Sequence, residues 1–302
     1  MAAHHRQRFL PQNKYRRCLY VAALLALLTS VSFASASTVY YQPLNMDKQL
    51  TDREWAANLD SLRGIGIESG VIQWVQYGDE TFGETNGWLA QRMQMWTQRS
   101  PVWLGLYADP EYFSRIDQPA NQQAKYLDML LDKNAKTLSA WQTWVSANTN
   151  NVQGYYLPME LSDYYFRTPA SQQVLKQQLT HFTSKLDKPL AISVFASGTL
   201  SPSAFNKWLI SLTQTGVHIW LQDGQGTQAL PIKTRQAYFN VLACDVGVIS
   251  ELFIQTSVSP FHARPMTNEE RSTANLSIKP CHQKLSFSLR YLRPIPHPLP
   301  LP

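Results

Sequence analysis

Gly154-Tyr155-Tyr156-Leu157-Pro158-Met159-Glu160-Leu161-Ser162-Asp163 joins an aromatic apolar run to a proline and two acids. Residues 152–157 read as a strand buried on both faces. Pro158 lacks the N–H needed to continue a ladder and reads as its end. Glu160 and Asp163 then open the following loop. Seven further β-rich runs flank this one, at 39–44, 70–77, 102–108, 190–196, 217–222, 248–254 and 285–292. Most are rich in Val, Ile, Tyr, Trp and Phe, as buried parallel strands are.

Amphipathic segments separate the runs. Thr51-Asp52-Arg53-Glu54 is a capping box ahead of Trp55, Leu59 and Leu62, which share one helical face. Ser201-Pro202 is a cap and first-turn pair ahead of Phe205, Trp208, Leu209 and Leu212. Leu175, Leu179, Phe182 and Leu186 form another stripe. Residues 119–147 are long enough for one long helix or two, and 259–280 read as a loop with a short helix around 268–272. Strands alternating with helices build βαβ units and a parallel sheet. Eight such units predict an α/β fold, a (β/α)8 TIM barrel, as one domain over 37–292. An open doubly wound sheet is disfavoured because no glycine-rich phosphate loop is present. From Pro294 onward every second residue is proline, so 293–302 is expected to be an extended, disordered tail.

The first 36 residues read as an export signal. Arg6, Arg8, Lys14, Arg16 and Arg17 precede an apolar run over 19–28 and the small-residue exit Ala34-Ser35-Ala36. Cleavage after Ala36 is expected, because the apolar run is shorter than the roughly 20 residues of a spanning helix. The expected location is periplasmic or secreted, with no stable membrane anchor after cleavage. The signal holds five cations and no acid, so its loss takes the net charge from +6 to about +1 (6 − 5). No basic cluster remains to track a phosphate backbone, which argues against nucleic acid as a partner. Cys244 and Cys281 would survive cleavage, and either a disulfide or two free thiols fits their positions.

Chemistry in a (β/α)8 barrel sits at the C-terminal ends of its strands. Glu160 follows the fourth run and Glu251 lies within the seventh, in Gly247-Val248-Ile249-Ser250-Glu251-Leu252-Phe253. Two facing carboxylates are the minimum needed to break a glycosidic bond. Structural roles compete with this: Glu160 capping the next helix or pairing with Arg167, and Glu251 in an ion pair at the barrel mouth. Asp223, in Gln222-Asp223-Gly224, is either a turn residue or a third catalytic carboxylate that binds sugar or tunes a glutamate. Gln42, Gln73, Trp74, Tyr107, Asp109, Asp163 and Gln222 lie at other strand ends and combine aromatic faces with hydrogen-bonding groups, as sugar sites require. Tyr155, Tyr156 and Trp220 would supply an apolar setting for Glu160. No metal-ligand spacing, nucleophile elbow or phosphate loop occurs, so no metal or cofactor is expected.

The chain resembles a bacterial family catalogued as domain of unknown function 4434, regarded as a glycosidase-like TIM barrel. The resemblance rests on Tyr41-Gln42-Pro43, Ile72-Gln73-Trp74, Leu104-Gly105-Leu106-Tyr107-Ala108-Asp109, Gly154 to Glu160, Leu221-Gln222-Asp223-Gly224 and Ser250-Glu251-Leu252-Phe253. More widely it is similar to retaining glycosidases, which implies Glu160 as acid/base, Glu251 as nucleophile and an exported hydrolase of polysaccharide or oligosaccharide. Met159 stands where those enzymes usually carry Asn, and Met offers no hydrogen bond to a sugar hydroxyl. That departure motivates an alternative expectation: a non-catalytic glycan-binding accessory to polysaccharide-export machinery or the cell envelope.

Overall fold

The strands β1 (Ser37–Tyr41), β2 (Ile67–Ile72), β3 (Val102–Gly105), β4 (Val152–Ser162), β5 (Leu190–Phe195), β6 (Val217–Gln222), β7 (Gly247–Glu251) and β8 (Lys284–Phe287) pair in parallel in chain order. β8 pairs back with β1, placing Leu285 opposite Thr38, and the barrel closes. These coordinates are a computed structural model that describes residues 37–258, 262–273 and 276–302. The expected export signal, 1–36, lies outside the described residues.

One residue from each strand meets at the barrel centre: Tyr40, Val71, Trp103, Tyr156, Ala191, Trp220, Ile249 and Leu285. Four of these are large aromatics, and small neighbours make room for them. A Cβ on Gly154 would stand 2.3 Å from the Trp103 ring, and one on Gly247 would stand 2.6 Å from Trp220. The opposite strand faces carry Val39, Tyr41, Ile72, Leu104, Leu157 and Ile219 into the layer beneath the helices. Those helices are α1 (Asp52–Gly64), α2 (Trp88–Thr97), α3 (Ala120–Ala147), α4 (Pro169–Thr183), α5 (Pro202–Thr213), α6 (Ile232–Val241) and α7 (Asn268–Thr273), one after each of the first seven strands. The capping box forms as expected: Thr51 Oγ1 accepts from the Glu54 amide at 3.3 Å, and Glu54 accepts from the Thr51 amide at 2.8 Å. Ser201 caps α5 with Pro202 in its first turn. The long segment is one helix of 28 residues.

Three expectations change. β4 continues through Pro158 to Ser162, because Pro158 and Met159 bulge out between Leu157, opposite Ile192, and Glu160, opposite Ser193. The run at 248–254 splits after Glu251, and Phe253–Ser257 pairs antiparallel with His262–Pro265 in a stretch read as loop. That second strand shows no apolar alternation, since only Ala263 is buried, and backbone pairing is what defines it. The eighth run is a strand only over Lys284–Phe287.

The proline-rich end is extended, but it is packed rather than disordered. Among the described residues no helix follows β8, and the tail takes that place between α7 and α1. Arg271 of α7 donates to the Arg293 carbonyl at 3.2 Å. Asn58 of α1, fully buried, donates to the His297 carbonyl at 2.6 Å and accepts from its amide at 2.8 Å. Ile295 and Leu299 are buried in the same layer as the helices. The sequence hides this because each apolar residue stands between prolines, and the Asn58 that anchors the tail is 239 positions away. Asn58→Ala leaves the amide and carbonyl of half-buried His297 without this partner, at up to about 1–3 kcal/mol each. Its urea midpoint should therefore fall well below that of the parent, and an unchanged midpoint would mean that the tail is not held there.

Cys244, after α6, and Cys281, before β8, form a disulfide with Cα atoms 5.4 Å apart. Of the two options open in the sequence, the bridged one holds. The closed loop carries β7 and α7. Reduction, or the double Cys→Ser variant, should cost roughly 2–4 kcal/mol in urea unfolding.

Candidate active site

The upper end of the barrel follows from the period of two along each strand. One step above the central residues Tyr40, Val71, Trp220 and Ile249 stand Gln42, Gln73, Gln222 and Glu251, and all four line a cavity of about 550 Å³. The two-residue bulge in β4 brings Glu160 into the same ring beside Ser193. Without that bulge the strand would present Pro158 at this height.

Glu251 is buried, with 2 % of its surface exposed. Its Oε2 accepts from the amides of Gly226 at 2.6 Å and Thr227 at 3.2 Å. A Cβ on Gly226 would lie 2.9 Å from that oxygen, so the close approach requires glycine. Burial pushes the Glu251 carboxyl above the usual carboxylate range, the charge of Asp223 adds to this, and the two amides oppose it. Asp223, also buried, accepts at Oδ1 from the amides of Gln225 at 3.1 Å and Glu251 at 3.3 Å. Burial raises its proton affinity too, against those two bonds and the nearby Arg235. Glu160 is partly open to the cavity. Burial raises its pKa, and a hydrogen bond from Gln222 holds it back.

Gln42, Gln73, Trp74, Asp109 and Gln222 line this cavity. The Trp74 indole donates to the Pro43 carbonyl at 3.3 Å and packs 4.9 Å from the Tyr77 ring. Asp109 is already committed, accepting from Tyr126 at 2.9 Å and Arg115 at 3.1 Å. Two expected residues lie elsewhere. The Tyr107 ring is covered by the Lys133 ammonium at 4.6 Å and lines neither this cavity nor its neighbour. Asp163 is fully buried and tethers the loop after β5, accepting from the amides of Ser197 at 2.6 Å and Leu200 at 2.7 Å. Tyr155 points outward to Asp187 at 2.8 Å, while Tyr156 and Trp220 stack at 5.8 Å beneath the acids. Met159 packs in the layer beneath the helices and does not line the cavity.

Sequence reasoning missed Tyr40, Ser193 and Phe287, although period-two alternation from Gln42, Ala191 and Leu285 points to them. It also missed Tyr112 and Phe113, which come from a short helix, Tyr112–Ile116, after β3 and carry no local signal of their place.

Residues 37–280 match the family described as Domain of unknown function (DUF4434). The chain belongs to the DUF4434 family. A relative in that comparison is "Uncharacterized protein YbcH" of Escherichia coli (strain K12), 32% identical over 295 residues, covering 93% of this chain and 98% of the relative. Among solved structures, this DUF4434 chain is similar to a "putative alpha-L-fucosidase" from Bacteroides thetaiotaomicron VPI-5482. That likeness has a TM-score of 0.56 at 12% identity and covers 84% of this chain and 87% of the other. An endo-beta-N-acetylglucosaminidase from Cordyceps militaris is a more distant likeness, with a TM-score of 0.42 at 8% identity, covering 85% and 82%. At such identity the fucosidase likeness shows a shared barrel fold.

Proposed function

We propose that this DUF4434 protein is an exported glycoside hydrolase acting on a polysaccharide or oligosaccharide. The observation that carries this reading is that Glu160 of β4 and Glu251 of β7, three strands apart, open onto one cavity. Its wall also presents the buried Gln73 Oε1 and Tyr112 hydroxyl, neither of which has a partner among the described residues. Buried polar groups are normally paired, and sugar hydroxyls supply such partners. The Trp74 face offers an apolar surface for a sugar ring.

In the mechanism, Glu160 gives a proton to the departing oxygen, a role that the upward pull of burial on its pKa favours. Glu251 attacks the anomeric carbon, and water then releases the sugar from the covalent intermediate. Glu251 attacks as the carboxylate, held by its two amide donors, whose bonds oppose the upward pull of burial and of the Asp223 charge. Gln42, Gln73 and Gln222 position the sugar. The Cys244–Cys281 bridge supports export, since disulfides persist in oxidising compartments.

The test is a screen of the oxidised protein on aryl glycosides and bacterial exopolysaccharides, reading reducing ends. Release is expected from at least one of them. Tight glycan binding without release would replace the hydrolase with an accessory of polysaccharide export or the cell envelope.

A further inference from the structure

The acids stand between two unlike spaces. On one side is the cavity already described, where Gln73 Oε1 and the Tyr112 hydroxyl have no partner among the described residues. On the other side a second cavity of about 470 Å³ also reaches Glu160 and Glu251. Its volume is within the roughly 300–1,000 Å³ of small-molecule sites. Phe195, Ala196, Leu221, Leu230 and Phe239 line it.

Several polar groups in this second space are already engaged. Tyr238 donates its hydroxyl to the Leu200 carbonyl at 2.5 Å. Arg235 donates to the carbonyls of Leu230 at 3.2 Å and Asp223 at 3.1 Å. Asp223 accepts from two backbone amides. Gln255 donates to the Ser257 carbonyl at 3.1 Å. A sugar placed here would give up water and find few free partners, whereas an apolar group gains about fourfold in affinity per buried methylene.

We infer that this protein cleaves glycosides with an apolar leaving group, an alkyl or aryl alcohol seated in the second cavity while the sugar fills the first. The inference rests on the hydrolase reading above. Glu160 protonates the glycosidic oxygen as its bond to the anomeric carbon breaks, and Glu251 bonds to that carbon. The apolar alcohol then leaves. Water, losing its proton to Glu160, displaces Glu251 and frees the reducing sugar.

The experiment compares methyl, n-octyl and phenyl glycosides of glucose, galactose, mannose, xylose, fucose and N-acetylglucosamine, both anomers, below micelle-forming concentrations. Binding is measured on Glu251→Gln and turnover on the parent. For the sugar that binds, the octyl or phenyl glycoside should exceed the methyl glycoside by about tenfold or more in both affinity and kcat/KM. The octyl and phenyl arms separate an alkyl from an aryl leaving group. Leu230→Gln should bring the ratio towards one. Ala229→Glu should do the same from an exposed position where folding is not at risk. Equal values for methyl and octyl, tighter binding of the matching trisaccharide, or no binding by any member overturns the inference. An octyl preference in binding with no turnover by the parent overturns the hydrolase reading instead and leaves an amphipathic-ligand site.

Discussion

Glu251→Gln and Glu160→Gln should each lower kcat/KM on any glycan the protein cleaves by ~10³-fold or more. The amide of Glu251→Gln keeps an oxygen for the Gly226 and Thr227 donors but cannot attack the anomeric carbon. Glu160→Gln keeps the bond from Gln222 but has no proton to give. The two losses should differ with the substrate. A dinitrophenyl glycoside, whose leaving group departs unprotonated, should largely spare Glu160→Gln and not Glu251→Gln. Asp223→Asn removes a neighbouring negative charge that raises the Glu251 pKa, so the acid limb of kcat/KM should move to lower pH.

Stability should respond in the opposite sense to activity. The folded-state pKa values of Glu160 and Glu251 lie above their unfolded values. Between the two values the native state binds more protons, so stability falls as pH rises through that window. Neutral amides escape this cost. The Tm of each variant should equal or exceed the parent's at pH 8, with the difference closing towards pH 4. Parent-like hydrolysis by both variants would remove the mechanism. A deep loss of Tm would make the carboxylates structural.

The barrel was legible because its signals are local. Thr51-Glu54 and Ser201-Pro202 announce helix starts, and runs such as Val217 to Gln222 have one reading in alternation with helices. Glu251 was legible for the same reason, lying two and four residues beyond the inward Ile249 and Gly247. Glu160 was read for an incomplete reason. Proline was expected to end β4, whereas a bulge carries the strand past it and sets the acid beside Ser193. Tyr107 and Asp163 sit at strand ends like the true cavity residues. Their direction depends on irregular backbone, and Lys133 and the Ser197–Leu200 loop claim them. Contacts made across the closure of the barrel leave no local trace, and the tail was misread accordingly.

Arg290→Met should cost about 3–5 kcal/mol, the usual consequence of stranding one partner of a buried ion pair. The Arg290 side chain is fully buried and donates to Asp47 Oδ2 at 2.7 Å, to the Gln42 carbonyl at 2.9 Å and to the Pro300 carbonyl. Asp47 is held in turn by the Tyr41 hydroxyl and the Leu44 amide, both at 3.0 Å. One guanidinium thus joins the loop after β1, the segment after β8 and the tail, across the seam where the barrel closes. Lys offers a point charge without the planar fork, so Arg290→Lys should fall between parent and Met variant. The penalty in the Met variant comes from the uncompensated Asp47 carboxylate, so adding Asp47→Asn should recover a large part of it, with the double-mutant cycle giving the coupling. Urea midpoints at constant slope measure all five proteins, the Asp47→Asn single variant included. A loss below about 1 kcal/mol for Arg290→Met, the size of an exposed pair, would show that water reaches the seam. Gln42 lines the sugar cavity and its carbonyl rests on Arg290, so the same substitution should raise KM more than it lowers kcat. The guanidinium touches the site through a binding residue and never through the acids.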